Sequence, residues 1–214
     1  MGRNEVEPRA GGRVRMTMPG FSQEATITDW QPGERLSYRG DETPDGAFMA
    51  FEYLIEGRAG GSTVLRFVHS GLLGDDWESQ YDDLKVGDRM YLEKLAAYVK
   101  HFPGKVATFS LFLFGPQVGD PDRAWGAFES AVGLARPAAA GEPTLLTVDG
   151  LEPVEGVVQF VRHPNFLGVR TGEGIHMFVY AQNTVVVEYH NFADGVDEKA
   201  TERAWQSWLA TQFG

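Results

Sequence analysis

In 214 residues, 30 acidic side chains outnumber 19 basic ones, for a net charge of −11 and a pI of about 4.9, and no run of Lys or Arg occurs that could neutralise a phosphate backbone, which excludes nucleic acid as a partner. Hydrophobic residues make up 43% and charged residues 23%, a globular balance that excludes disorder as the main state. The absence of cysteine excludes disulfides, thiolate metal sites, iron–sulfur clusters and cysteine nucleophiles.

Apolar runs such as residues 106–114, interrupted by Thr108 and Ser110, fall short of the roughly 20 residues that span a bilayer. The opening residues 1–5 lack the apolar core of a signal peptide, so the expectation is a cytoplasmic protein without a membrane partner.

In chain order, residues 12–18 set Val14, Met16 and Met18 against Arg13, Arg15 and Thr17, the alternation of a half-buried strand. Residues 21–30 and 35–39 are two further strands joined at Gln31-Pro32-Gly33, where Pro sets one φ and Gly permits the next. Residues 47–56 place Met49, Phe51, Tyr53 and Ile55 on one face. Residues 61–69 do the same for Thr63, Leu65, Phe67 and His69, after the turn Arg58-Ala59-Gly60-Gly61. The five strands make an antiparallel meander.

From Asp76 to Phe102 the period changes. Tyr81, Leu84, Tyr91, Leu92, Leu95, Tyr98, Val99 and Phe102 form a helical stripe. Asp75, Asp76 and Glu78 lie at its N-terminal end and Lys94 and Lys100 toward its C-terminal end, as the helix dipole favours, and Pro103-Gly104 stops it.

The second half begins with a strand at 106–114. A helix follows, capped by Asp120-Pro121 and buried through Trp125, Phe128 and Val132. Residues 136–143 are a loop. Strands recur at 144–148, 157–162, 166–170, 175–180 and 184–190, and a last helix over 197–213 carries Trp205, Trp208, Leu209 and Phe213 on its apolar side. The two halves divide at 103/104, into a domain of residues 1–103 and one of 104–214. Helices segregated on antiparallel sheets define an α+β class, with two tandem units in which a curved sheet packs on a long C-terminal helix.

The run Val68-His69-Ser70-Gly71-Leu72, then Asp76-Trp77-Glu78 and Tyr91-Leu92-Glu93-Lys94-Leu95, resembles the end of domains in the heat-shock-chaperone ATPase activator-like family of the SRPBCC, or START-like, helix-grip superfamily. Val6-Glu7-Pro8-Arg9-Ala10-Gly11-Gly12 and Trp30-Gln31-Pro32-Gly33-Glu34-Arg35-Leu36 are similar to that family's early strands. The resemblance covers residues 6–102, and residues 105–214 share the order of elements of a second helix-grip unit. Family members carry a strand and a Trp-bearing helix pair before the segment at 6–12. The first unit is therefore expected to lack its opening strand and helix, and its exposed sheet edge to drive assembly into a homo-oligomer.

The resemblance implies a hydrophobic small molecule held between sheet and long helix, without a cofactor. Face assignment then nominates Met49, Phe51, Tyr53, Leu65, Phe67, His69, Tyr91 and Leu95 as the lining, with His69 and the tyrosines as polar anchors. Two alternatives follow from the same resemblance: a co-chaperone-like interaction module, and a cyclase-like enzyme acting through His69 with a carboxylate or tyrosine. Against the ligand role stands the plain structural one, in which these rings fill a core and His69 is satisfied by a neighbour.

No residue is nominated as catalytic or metal-ligating. His163, His176 and His190 are scattered without a ligand spacing, the acidic cluster of Asp75, Asp76, Glu78, Asp82 and Asp83 lacks the oxygen spacing of a calcium loop, and no Gly-x-Ser-x-Gly or phosphate loop occurs.

Overall fold

The alternating residues up to Leu72 fold into a six-stranded antiparallel meander in the computed structural model, which describes residues 3–18, 20–72, 77–134 and 137–214. Its strands are β1 (Arg3–Val6), β2 (Arg13–Met18), β3 (Phe21–Gln31), β4 (Arg35–Gly40), β5 (Phe48–Gly57) and β6 (Thr63–Leu72), each hydrogen-bonded to the next. Gly33 turns β3 into β4 at φ +79°, and Gly60 and Gly61 turn β5 into β6 at +85° and +77°, backbone angles that favour glycine.

The meander has one strand more than the sequence pattern marks. In β1, Val6 pairs with Val14, but Asn4, Glu5 and Val6 are all exposed, so no apolar alternation betrays it. Strand β6 also runs on to Leu72, which places His69 inside the strand opposite Phe51 rather than at its end.

The chain forms two compact units, Gly2–Asp82 and Asp83–Gly214. Helix α1 (Trp77–His101) thus falls mostly in the second unit, whereas the sequence reading divides the chain after it. Its acidic start read at Asp75 and Asp76 lies outside the described residues, as do the Glu78 and Asp83 side chains.

The second unit continues with β7 (Phe109–Gln117), α2 (Pro121–Ala131), β8 (Pro143–Leu146), β9 (Val154–Arg162), β10 (Phe166–Thr171), β11 (Gly174–Ala181), β12 (Thr184–Asn191) and α3 (Glu198–Phe213). This is the predicted order of strand, helix, five strands and helix. The sheet order β7-β12-β11-β10-β9-β8 sets the first strand of the unit beside the last. Strand β7 begins later than expected, leaving Val106 84% exposed before it.

The Asp120 cap behaves as the sequence indicates, and the structure adds a second at Asp197. The Asp120 carboxylate accepts from the backbone N–H groups of Asp122 and Arg123 at 3.0 and 3.2 Å, and Asp197 accepts from Ala200 N–H at 2.9 Å.

Helices cover both faces of this second sheet, and strand alternation decides which residues meet which helix. On one face Val158, Leu167, Phe178 and Val187 pack with Trp125 and Phe128 of α2 and with Trp205 and Leu209 of α3. Phe128 and Trp205 are fully buried, each contributing about 1.5–3 kcal/mol by area.

On the other face Phe160, Phe166, Ile175 and Met177 pack with Met90 and Ala97 of α1 and with Phe102 just beyond it. Val158 and Phe160 reach opposite faces because β9 carries an extra residue, Gln159, where its register against β10 shifts. The Phe160 ring then lies over Gly168, so close that a Cβ there would stand 2.2 Å from it.

The buried stripe of α1 is therefore not the one that hydrophobicity marks. Met90, Lys94 and Ala97 are buried, while Tyr81, Tyr91, Leu95 and Val99 are exposed. A lysine at the centre of the packed face reads as a solvent position unless its partner is known.

Candidate functional site

In the first unit, the pairing of β4, β5 and β6 builds one aromatic face. Phe51 lies between Tyr38 and His69 in register, and Tyr53 between Leu36 and Phe67. Because successive side chains alternate, residues 49, 51, 53, 65, 67 and 69 all project to this side, as the sequence reading expects.

The rings run on continuously. Tyr38 stacks on Phe51 at 5.0 Å between centroids, Phe51 on His69 at 4.2 Å, and Tyr53 lies tilted against Phe67 at 5.0 Å. The Tyr38 and Tyr53 hydroxyls stand 3.5 Å apart on the same face, in hydrogen-bonding contact. All five rings and Met49 are half-buried, and Leu65 is exposed. A face of this kind offers π surfaces for stacking, worth about 0.5–1.5 kcal/mol per ring pair beyond area, with hydroxyls and an imidazole to orient a polar substituent.

The opposite side of the strands mixes charged residues with aliphatic ones such as Leu54 and Val68. Arg35 pairs with Asp29 at 3.2 Å, Arg39 with Glu42 at 2.5 Å, and the Arg39 guanidinium lies 3.8 Å over the Phe48 ring. The sheet therefore gathers its rings on one side and its ion pairs on the other.

Tyr91 and Leu95, nominated to line the same cavity, lie in the second unit, 38% and 39% exposed on α1. The Tyr91 ring there lies 4.8 Å from the Lys94 ammonium. The helix turns Met90, Lys94 and Ala97 inward instead, which carries Tyr91 and Leu95 to its flank.

A second constellation, absent from the sequence reading, sits between α1 and the second sheet. Lys94 Nζ donates to Glu188 Oε2 at 2.5 Å, with the two side chains only 5% and 2% exposed. His190, two residues along β12 and on the same face, places Nε2 3.9 Å from the same carboxylate oxygen, and its Nδ1 is 2.9 Å from Ser110 Oγ on β7. Ser110 and His190 are direct cross-strand partners.

Burial pushes the Glu188 carboxyl up, but the Lys94 charge beside it draws it well below the usual carboxylate range. Burial, with Lys94 nearby, lowers His190 below its ordinary value although Glu188 pulls the other way. The sequence does hold a signal for this cluster: Glu188 and His190 interrupt the apolar run 184–191 of a strand flanked on both sides by others.

The other histidines do not join it. His163 packs edge-on against Trp125 at 4.9 Å, with Nε2 3.5 Å from Asp122. His176 stacks on Tyr189 at 3.9 Å on the α2/α3 side of the sheet.

No family model matches the chain, and no curated protein matches it. Among solved structures it is similar to the di-domain ARO/CYC BexL from the BE-7585A biosynthetic pathway, with a TM-score of 0.40, 14% identity, and coverage of 98% of this chain and 87% of that one. It is also similar to DynU16, a putative protein in the dynemicin biosynthetic locus, with a TM-score of 0.39, 15% identity and coverage of 98% and 86%. A third, the di-domain ARO/CYC StfQ from the steffimycin biosynthetic pathway, has a TM-score of 0.35, 10% identity and coverage of 99% and 83%. Values this low assign the chain neither a family nor an activity.

Proposed function

We propose that the protein binds a flat, hydrophobic small molecule, with the aromatic face of β4, β5 and β6 as its site. The observation that carries this reading is the unbroken row of half-buried rings, Tyr38, Phe51, His69, Phe67 and Tyr53, on one side of the sheet. A planar aromatic compound stacks on Phe51 and Phe67 while its hydroxyl or carbonyl groups meet Tyr38, Tyr53 and His69. Met49 and Leu65, on the same face, extend the apolar surface.

Titration with a panel of two- to four-ring hydroxylated aromatics, followed by calorimetry, tests this. Binding is expected in the wild type and at least tenfold weaker in Phe51→Ala with the circular dichroism spectrum retained. Equal affinity in Phe51→Ala, or no binding by any compound of the panel, would overturn it.

A further inference from the structure

We propose that Ser110 is a nucleophile that accepts acyl groups from small aryl esters, with His190 as its base, at a site on the second sheet separate from the aromatic face of the first. Three groups stand in the relation such chemistry needs. The Ser110 hydroxyl is 2.9 Å from His190 Nδ1, and the far nitrogen of that imidazole faces the buried Glu188 carboxylate at 3.9 Å.

The Glu188 charge lies on the Nε2 side of the ring, beyond hydrogen-bond length, and favours the ring proton there; we accordingly assign Nδ1 the lone pair that takes the serine proton. Lys94 donates to the same oxygen of Glu188 that His190 faces and keeps the carboxylate in place. An imidazole needed only to complete a buried ion pair has no use for an exposed hydroxyl, yet Ser110 is exposed while His190 is 14% exposed.

The same strand supplies the ground for a substrate. Phe112 and Phe114 project to the same face as Ser110, opposite Glu188 and Val186, and pack edge to face at 5.0 Å with Phe114 53% exposed. An aryl group laid on this pair brings its ester carbonyl toward Ser110 Oγ.

The chemistry balances without a cofactor. Ser110 Oγ bonds to the carbonyl carbon as its proton passes to His190 Nδ1. The tetrahedral adduct collapses with cleavage of the ester C–O bond, and the leaving phenol oxygen takes that proton. Water then attacks the acyl-serine and gives a proton to His190, which returns it to Ser110 Oγ as the carboxylic acid departs. The net reaction is ester plus water to acid plus phenol.

The test is covalent labelling of the full chain with a fluorophosphonate, located by peptide mass spectrometry, alongside the stopped-flow burst on p-nitrophenyl acetate. The expected result is one adduct on Ser110, a burst of one phenolate per chain, and at least a hundredfold loss of both in Ser110→Ala and His190→Gln. An adduct elsewhere, no adduct at all, or undiminished labelling in His190→Gln would overturn the proposal.

A second measurement on the wild type does not depend on variants that fold. The long-range 15N–1H spectrum is expected to show His190 neutral with its proton on Nε2. A proton on Nδ1, or an imidazolium at pH 7, would also overturn it.

Discussion

Lys94 on α1 and Glu188 on β12 meet at 2.5 Å with side chains 5% and 2% exposed, although 94 residues separate them in the chain. Removing one partner strands the other charge in the interior, so Lys94→Met is expected to cost about 3–5 kcal/mol and Glu188→Leu a similar amount. The double variant leaves no charge behind and is expected to recover most of the loss. Urea denaturation of the four proteins decides it: strictly additive losses would show that the two groups do not act as a pair.

Gly168 has the Phe160 ring where its side chain would grow, with a Cβ placed 2.2 Å from the nearest ring atom. Gly168→Ala must displace that ring from the packed face under α1, and is expected to cost about 1–3 kcal/mol as overpacking does. A thermal melt unchanged from wild type would mean that the ring is free to move aside.

His176 is buried and stacked on Tyr189, with ring planes 8° apart, and burial lowers its pKa to about 3. The unfolded chain binds this proton near pH 6.5 and the folded one only near 3, so stability falls as pH drops below about 6.5 and goes on falling toward about 3. The slope from this group approaches about 1.4 kcal/mol per pH unit. His176→Phe keeps a ring against Tyr189 and is expected to flatten the slope between pH 6 and 4, measured by urea midpoints. Identical slopes in the two proteins would refute the assignment.

On the aromatic face, His69 stacks 4.2 Å from Phe51. If the face only binds, His69→Ala is expected to weaken a bound aromatic compound by about tenfold, and native mass spectrometry of the wild type recovers that compound unchanged. Conversion of the compound by the wild type, abolished in His69→Ala, would favour the cyclase-like alternative instead.

The alternation of residues 47–56 and 61–69 was enough to place Met49, Phe51, Tyr53, Leu65, Phe67 and His69 on one face, because a strand has a strict period of two and its turns, at Gly33 and at Gly60 and Gly61, announce themselves. The partner Tyr38 is not legible in the same way, since nothing local says that β4 pairs with β5 with Tyr38 opposite Phe51. Strand β1 carries no pattern because an exposed edge needs no apolar residues.

The buried face of α1 departs from its hydrophobic stripe for a different reason. Hydrophobicity ranked Tyr91 and Leu95 above Lys94, and only the position of Glu188 reverses that ranking.

By itself, then, the sequence determined the α+β class, the run of elements in the second half, the cap at Asp120, and the two-sidedness of each strand, all consequences of periodicity and of residues within a few positions of one another. The tertiary structure alone decided which sheet α1 packs on, and it alone brought Ser110, His190, Glu188 and Lys94 together. Those outcomes depend on groups 80 to 94 residues apart. Whether burying a charge costs or stabilises depends on the partner it meets, which no local window of the chain contains.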